Sequence, residues 1–166
     1  MEKAEELQRT EPLGIAYAVA DASAPGDAVG DAAFDLVVCC FGLSDIDELD
    51  GAMATVARCL RPGGRFVFSI LHPCFPGAGD VSGSWPPDGS YFHEGRWTAV
   101  GSRSTLRQQV GANHRMLSTY VAALSGHGLN LDVLREATPP AEWETAAPVA
   151  ARHPVFLAAS CSLRQH

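Results

Sequence analysis

Two histidine pairs give this chain groups that could move protons. His72 opens the tetrapeptide His-Pro-Cys-Phe, and His114 is followed directly by Arg115. Imidazole titrates near neutral pH, so either histidine could act as a general base toward a hydroxyl or an amine. Either could instead cap a strand or bind a backbone group. His72 and His114 are therefore our candidate catalytic residues.

An acidic residue and two cysteines stand at the ends of apolar segments upstream. One predicted strand is Gly14 to Ala20, and Asp21-Ala22 follows it directly. The other is Phe34 to Phe41, and Cys39-Cys40 lies near its end. Ligands of open α/β sheets bind outside the carboxyl ends of the strands. A carboxylate placed there can accept hydrogen bonds from a ligand, although Asp21 could also simply open a turn.

The five cysteines have neither metal-binding nor disulfide spacing. Cys39 and Cys40 lie in an apolar segment with nothing nearby to lower a thiol pKa, which favours packing over redox or metal chemistry. The set of His72, Cys74, His93 and His114 matches no zinc pattern, so we expect no metal site. Thiols in apolar segments, and an N-terminus without a signal-peptide core, predict a cytoplasmic protein.

Three helices and three further strands are predicted around these residues. The segment from His72 to about Gly111 lacks periodicity but is rich in glycine, proline and aromatic residues, which is typical of a packed lid. Tyr91 could line a pocket beneath this lid or anchor it by burial. The alternating order of elements predicts an α/β sheet with a parallel centre. The helices are predicted at 2–9, 48–60 and 116–125, and the strands at 65–71, 129–136 and 154–163.

Length and charge exclude several classes of function. The chain has 166 residues, the size of one domain, and a composition typical of globular proteins. Its net charge of −7 argues against a nucleic-acid or anionic-membrane surface, since both require clustered basic residues. No apolar run reaches the length of a membrane span. We therefore expect neither nucleic acid nor membrane as a partner.

The stretch from Phe34 to Pro73 carries a family resemblance. It reads FDLVVCCFGLSDIDELDGAMATVARCLRPGGRFVFSILHP: an apolar strand, an amphipathic helix, the tetrad Arg61-Pro62-Gly63-Gly64 and a second apolar strand. In this order it resembles the middle of a class I S-adenosylmethionine-dependent methyltransferase. The tetrad is expected to turn the chain sharply back into the sheet. The resemblance implies a partial Rossmann-like methyltransferase sheet, parallel in its centre, with a C-terminal antiparallel hairpin.

The resemblance also implies roles for particular residues. The cofactor would be S-adenosyl-L-methionine, with the Asp21 carboxylate accepting a hydrogen bond from the adenine amino group and Cys39-Cys40 beside the methionine part. Similar small-molecule methyltransferases frame the substrate pocket with a His-Pro pair and a His-Arg pair at these two places. The implied site residues are catalytic His72 and His114, substrate-binding Tyr91 and Arg115, and cofactor-binding Asp21, Ala22, Cys39 and Cys40.

Family domains begin with a strand, a glycine-rich loop that approaches the cofactor, a helix and a second strand. No Gly-x-Gly joins a strand to a helix in this chain. The resemblance therefore implies that residues 1–166 form a single methyltransferase-like domain, truncated at its N-terminus. Its implied function is methyl transfer to a small-molecule acceptor, weak or lost in this chain. Two alternatives stay open: an inactive domain that serves as a binding or regulatory partner, and an unrelated α/β protein.

The implied sheet has a gap. In the family, two strands lie between the counterparts of Gly14 to Ala20 and Phe34 to Phe41. Without them, Phe34 to Phe41 becomes an exposed apolar edge, which favours association with other strands. We predict that Gly14 to Ala20 either pairs directly with this edge or stays poorly packed. The edge could also join copies of the chain into a homo-oligomer.

Overall fold

The computed structural model describes residues 2–78, 81–100 and 105–164 of the chain. None of the helices in these ranges is long and apolar enough to cross a membrane. The helices are α1 (Glu2–Thr10), α2 (Leu49–Cys59), α3 (Thr105–Gln109), α4 (Leu117–Gly126), α5 (Trp143–Ala146) and α6 (Pro148–Ala151), with a 3-10 turn at Gly26–Ala28. The strands are β1 (Phe34–Cys40), β2 (Leu60–Leu71), β3 (Gly77–Ala78), β4 (Val81–Ser82), β5 (Gly95–Trp97), β6 (Ala112–His114), β7 (Leu129–Glu136) and β8 (Phe156–Leu163).

The main sheet has the order β1-β2-β8-β7 among the described residues. β1 and β2 run parallel, as a strand-helix-strand unit connected by α2 requires. β8 lies antiparallel between β2 and β7. The predicted α/β sheet, with parallel strands and a closing antiparallel pair, is confirmed. The two closing strands are joined by a connection that contains α5 and α6.

The Arg61-Pro62-Gly63-Gly64 tetrad lies within β2 rather than before it. Opposite β1, Leu60 pairs with Phe34 and Arg65 pairs with Leu36, so the tetrad bulges out of the ladder. Gly63 has a φ of 77°, which favours glycine. The tetrad therefore forms a bulge within β2. The separate turn before the strand that the sequence predicted does not form.

The core lies between the sheet and helices α2 and α4. On α2 the buried residues follow the i, i+3, i+4, i+7 spacing of one helical face, and on β2 they alternate, as expected for a half-buried strand. The core residues are Leu43, Leu49, Ala52, Met53, Val56, Leu60, Phe66, Phe68, Ile70, Tyr120, Leu124, Leu129, Leu157, Ala159 and Cys161.

The prediction of a strand at Gly14 to Ala20 is wrong. These residues have no regular secondary structure and are all exposed. None of the hydrogen bonds of the described residues joins them to β1, so the predicted direct pairing is wrong as well. The other outcome, a poorly packed segment, is confirmed. Fixing a backbone in one conformation costs about 1–2 kcal/mol per residue, and without a neighbouring strand nothing offsets that cost.

β1 is an exposed apolar edge of the sheet, as predicted. The exposed fractions of Phe34, Leu36 and Val38 are 45%, 52% and 56%. No residue of β1 is fully buried, because no layer covers the outer part of this strand. At the opposite edge, β7 carries Asn130, Asp132, Arg135 and Glu136, and charged residues protect sheet edges against pairing.

The predicted lid is built from short hairpins. β3 pairs with β4, and β5 pairs with β6, both antiparallel. Phe75 is fully buried and forms a small second core with Ala150 and Val155. Phe92, by contrast, is 75% exposed, so the lid aromatics do not all anchor it. Residues 79, 80 and 101–104 of the predicted lid lie outside the described residues.

Replacing Phe66 by alanine tests the assignment of the core. Phe66 has no exposed surface, so the substitution leaves a cavity and should lower the free energy of unfolding by about 3–5 kcal/mol. The control Val38→Ala lies on the exposed edge and should change it by less than about 0.5 kcal/mol. Urea denaturation followed by circular dichroism measures both values. Equal losses in the two variants would contradict the assigned core.

Candidate functional site

An arginine connects the loop after β1 with the start of α4. Arg115 Nη1 donates to the carbonyl of Leu43 (3.0 Å), and Nη2 donates to the carbonyls of Ile46 and Asp47 (2.7 Å each). Buried or half-buried carbonyls need such partners, because leaving them without one is costly. The loop after β1 and the segment before α4 are thereby held together at the carboxyl end of the parallel strands.

Lid side chains hold the same loop through its acidic residues. Arg96 Nη1 donates to Asp47 Oδ1 (2.6 Å), Asn113 Nδ2 donates to the same oxygen (2.9 Å), and Arg107 pairs with Asp45. The Asn113 hydrogen bond, supported by Arg96, holds the pKa of Asp47 below its usual value. The sequence analysis missed this network, because Arg96 and Asn113 are 49 and 66 residues from Asp47 and leave no local pattern.

Both ring nitrogens of His72 are engaged. The Cys74 backbone N–H donates to Nδ1 (3.0 Å), so Nδ1 is the acceptor and Nε2 carries the proton toward Glu136 Oε1 (2.9 Å). The residue is buried, and its carbonyl accepts a hydrogen bond from Ser84 Oγ (2.5 Å). This arrangement ties the end of β2 to the end of β7 and to the lid. It favours a positioning role over direct proton transfer; the catalytic role stays a prediction.

His114 has one engaged and one vacant ring nitrogen. It is 2% exposed, and its Nε2 lies 2.9 Å from the Tyr91 carbonyl oxygen. Nδ1 is buried and has no hydrogen-bond partner within the described part of the chain. The Trp85 and Tyr91 rings meet the imidazole edge-on, with ring centroids 5.3 and 5.8 Å away. Of the two candidate bases, His114 is the one with a free acceptor.

A cavity of about 20 Å³ lies beside His114. Both predicted pairs reach it, since Pro73 follows His72 and Arg115 follows His114. Burial raises the pKa of Tyr120, which lines this cavity with Arg115. The residues that line it are Ser44, Leu71, Pro73, Gly83, Ser84, Arg107, Ala112, Asn113, His114, Arg115 and Tyr120.

The lid caps the N-terminus of α4. Glu94 Oε1 accepts hydrogen bonds from the Met116 N–H (2.5 Å) and from Thr119 Oγ1 (2.6 Å). The Tyr91 hydroxyl accepts the Leu117 N–H (3.1 Å). The first N–H groups of a helix lack partners within the helix, and a carboxylate there also interacts favourably with the helix dipole. These bonds hold Tyr91, and with it the carbonyl on His114, against α4.

A second, larger cavity of about 450 Å³ lies along β1. It brings together three of the four predicted cofactor-binding residues, Asp21, Ala22 and Cys39; Cys40 is not part of its lining. The rest of the lining is predominantly apolar: Ala18, Ala20, Pro25, Val29, Phe34, Leu36, Val37, Val38, Leu43, Ile46, Ala52, Thr55, Val56, Cys59 and Phe66.

Asp21 uses one carboxylate oxygen locally. Its Oδ1 accepts hydrogen bonds from the Ser23 backbone N–H (2.8 Å) and from Ser23 Oγ (2.7 Å). These two bonds hold the pKa of Asp21 below its usual value, and the bond from the Ser23 hydroxyl has the larger effect. Asp21 therefore forms the turn that was the alternative interpretation. Neither bond uses Oδ2, so a ligand in the larger cavity can still be bound there.

The cysteines at the end of β1 have the environment of packing residues. Burial raises the pKa of the Cys39 thiol, which disfavours the reactive thiolate. Cys40 is exposed. Among the described residues, no group of three or more histidine, cysteine or acidic side chains is placed to hold a metal ion.

Two of three comparisons with known proteins find methyltransferases. Residues 1–68 match the family model of the methyltransferase domain. The comparison with curated proteins gives no match. An S-adenosylmethionine-dependent methyltransferase from Mesorhizobium loti is 29% identical, with a TM-score of 0.72 over 98% of this chain and 76% of that one.

Two further solved structures have the same fold. A putative S-adenosylmethionine-dependent methyltransferase from Listeria monocytogenes is 20% identical, with a TM-score of 0.74 over 99% of this chain and 76% of that one. The 1,6-didemethyltoxoflavin-N1-methyltransferase of Burkholderia thailandensis, solved with bound 1,6-didemethyltoxoflavin and S-adenosylhomocysteine, is 13% identical. Its TM-score is 0.60, over 98% of this chain and 57% of that one.

Fold and matches together show that the chain has a Rossmann-like methyltransferase fold. Within that class, the chain has the fold of the class I S-adenosylmethionine-dependent methyltransferases, and its first 68 residues match the methyltransferase domain model. The family resemblance stated from Phe34 to Pro73 is confirmed. The antiparallel pairing of β7 with β8 removes the main argument for an unrelated α/β protein.

The larger cavity fits one part of the cofactor of this family. Asp21 Oδ2 can accept a hydrogen bond from an adenine amino group, and Ala22 leaves room beside it. The cavity volume lies within the range of about 300–1,000 Å³ that is usual for ligand pockets. Asp21 is also the only carboxylate or basic side chain in the described lining. Asp21 therefore offers an acceptor suited to an adenine amino group, whereas the described lining holds no charged side chain for the methionine end.

The lid cap can be tested by removing the Glu94 carboxylate. In Glu94→Ala the N–H of Met116 loses its acceptor, so α4 and the lid should be destabilised by about 1 kcal/mol, the usual cost of a lost cap. Amide hydrogen exchange should then be faster at 91–94 and at the start of α4. Glu94→Gln keeps an acceptor oxygen and should retain most of the protection. Unchanged exchange in Glu94→Ala would contradict a stabilising cap.

Proposed function

We propose that this chain binds S-adenosylmethionine and supports methyl transfer to a small-molecule acceptor. The observation that carries the proposal is the position of the loop after β1. Leu43 lines the larger cavity with Asp21, Ala22 and Cys39, and the next residue, Ser44, lines the smaller one with His114 and Arg115.

The residues have distinct roles in this proposal. The cofactor, when bound, supplies a methyl group already activated by the sulfonium, so the protein mainly has to orient the acceptor. Asp21 and Ala22 hold the adenine end, and Cys39 and Cys40 pack the nearby strand end. His114 takes a proton, and Arg115 positions the acceptor. Tyr91 holds the lid against α4, and His72 fixes the end of β2.

A second proposed function is association through β1, which would also suit an inactive domain that serves as a binding partner. Phe41, just after β1, donates its N–H to the Ser69 carbonyl (2.8 Å). Because backbone groups alternate along a strand, those of Leu36 and Val38 point away from β2 and are available to another strand.

A second copy of the chain fits this edge in one antiparallel register. With Val37 opposite its own copy, Leu36 faces Val38 and Asp35 faces Cys39 across the pair. The outward backbone groups of Leu36 and Val38 then bond to each other, the apolar side chains meet, and no like charges are opposed. β1 therefore supports a homo-oligomer better than β7, whose edge is charged.

Calorimetric titration with S-adenosylmethionine tests the proposed activity. We expect binding by the wild-type chain and about tenfold weaker binding by Asp21→Asn, the effect of losing one good hydrogen bond. The asparagine oxygen can keep the Ser23 bonds, which leaves an NH₂ group that cannot accept from adenine. Asp27→Asn, outside the larger cavity, is the matched control. Lack of binding by the wild-type chain would rule out the cofactor-dependent function.

Light scattering during size-exclusion chromatography tests the association. The wild-type chain should shift toward a dimer as its concentration rises, and Val38→Lys should stay monomeric because it places a charge in the apolar edge. Val133→Lys makes the same change on β7, where the exposed fraction is 38%, and should dimerise like the wild type. A wild-type monomer at all concentrations, or dimers of Val38→Lys, would contradict pairing through β1.

A further inference from the structure

The larger cavity reaches around the edge of β1. Side chains from both faces of this strand line it: Val37 and Cys39 from the half-buried face, and Leu36 and Val38 from the exposed face. A cavity in contact with both faces must extend past the strand edge, where no further strand lies in the part of the chain that the structure describes. A second copy paired with β1 would therefore form a wall of this cavity.

The antiparallel register proposed above determines which partner residue reaches the cavity. With Val37 opposite its own copy, Cys39 lies opposite Asp35 of the partner subunit. The Phe41 N–H points to β2, and so do the backbone groups of Asp35 and Cys39, because backbone directions alternate along a strand. The pair is therefore of the kind without hydrogen bonds, in which the Cα atoms are about 4.5 Å apart and the side chains project from one face at similar spacing.

Asp35 does not line the cavity of its own copy, as far as the described residues show. Its carboxylate lies 2.7 Å from Arg61 Nη1, and the two side chains are 80% and 51% exposed. Exposed ion pairs of this kind contribute little to stability, so a charged ligand can replace either member. Across the proposed dimer, each copy therefore presents an exchangeable carboxylate and guanidinium to the cavity of the other.

We infer that the partner subunit's Asp35 completes the larger cavity and accepts a hydrogen bond from the ammonium group of the bound cofactor. S-adenosylmethionine ends in an ammonium and a carboxylate group, and charges without partners are costly to bury. Asp21 is the only charged side chain in the described lining, and it is suited to the adenine end. Arg61 of the partner subunit is placed to bind the cofactor carboxylate. The inference rests on the proposed cofactor binding and on the proposed pairing of β1.

A mixture of two variants tests whether the carboxylate acts across the dimer. Asp21→Asn removes the adenine acceptor from its own cavity, and Asp35→Asn removes the carboxylate from the cavity of its partner. Each variant alone should bind S-adenosylmethionine about tenfold more weakly than the wild type in calorimetric titration, the effect of one hydrogen bond. In an equimolar mixture about half of the dimers are mixed, and one of their two sites has both carboxylates, so about a quarter of all sites should regain wild-type affinity.

Asp31→Asn is the matched control for Asp35→Asn. Asp31 is also exposed and paired with an arginine, Arg58, but it lies before β1 and outside the larger cavity, so this variant should bind like the wild type. Wild-type affinity in Asp35→Asn, or a mixture in which no sites recover, would overturn the inference.

Cross-linking tests the geometry without any cofactor. The Cα separation expected between Asp35 and the partner's Cys39 lies within the range of about 4.4–6.8 Å that a disulfide spans. Oxidation of Asp35→Cys with diamide should therefore join two copies, as seen by non-reducing electrophoresis. Adding Cys39→Ser should abolish the cross-link, whereas adding Cys40→Ser should leave it. A lack of cross-linking in Asp35→Cys, or a cross-link that survives Cys39→Ser, would overturn the proposed register and the inference with it.

The cofactor-dependent function and the inference fail in different ways. Cross-linking through Cys39 without S-adenosylmethionine binding by the wild type would refute the cofactor-dependent function and the role of Asp35 in it, and would leave the paired cavity wall standing. Binding of S-adenosylmethionine without recovery in the mixture would refute the inference alone.

Discussion

The three hydrogen bonds from Arg115 to backbone carbonyls are the interaction on which the site depends. They connect the loop after β1 to the start of α4, two segments that are 68 to 72 residues apart in the chain. A planar guanidinium with several fixed donors can satisfy several carbonyls at once, which a lysine cannot do. Because consecutive residues of this loop line the larger and the smaller cavity, its position determines how the two cavities lie relative to each other.

Different kinds of interaction stabilise the core and the lid. Between the sheet and helices α2 and α4, apolar burial dominates, and Phe66 and Leu157 have no exposed surface. Over the site, the lid is held mainly by charged and amide groups, which cap α4 and bind the loop after β1. Polar contacts of this kind open more readily than a packed core, so a ligand can enter beneath the lid while the core stays folded.

Much of the fold could be predicted from local patterns. Helices α1, α2 and α4 and strands β1, β2, β7 and β8 follow from residue periodicity, helix and strand propensity, and glycine and proline positions. Gly14 to Ala20 has an equally good strand pattern and forms no strand, because a strand exists only where a neighbour takes up its backbone groups. The Arg61–Gly64 bulge was likewise beyond local analysis, since a bulge depends on the register with β1.

The candidate site, like the fold, could be predicted only in part from the sequence. The sequence by itself determined which residue types end the strands and precede α4: an aspartate, a His-Pro pair and a His-Arg pair. Only the tertiary structure decided their chemical states. His72 has both ring nitrogens engaged, whereas Nδ1 of His114 has no hydrogen-bond partner among the described residues, although the two side chains are chemically identical. The physical reason is that a proton's position on imidazole is set by its hydrogen-bond partners, and Glu136 and Tyr91 come from distant parts of the chain.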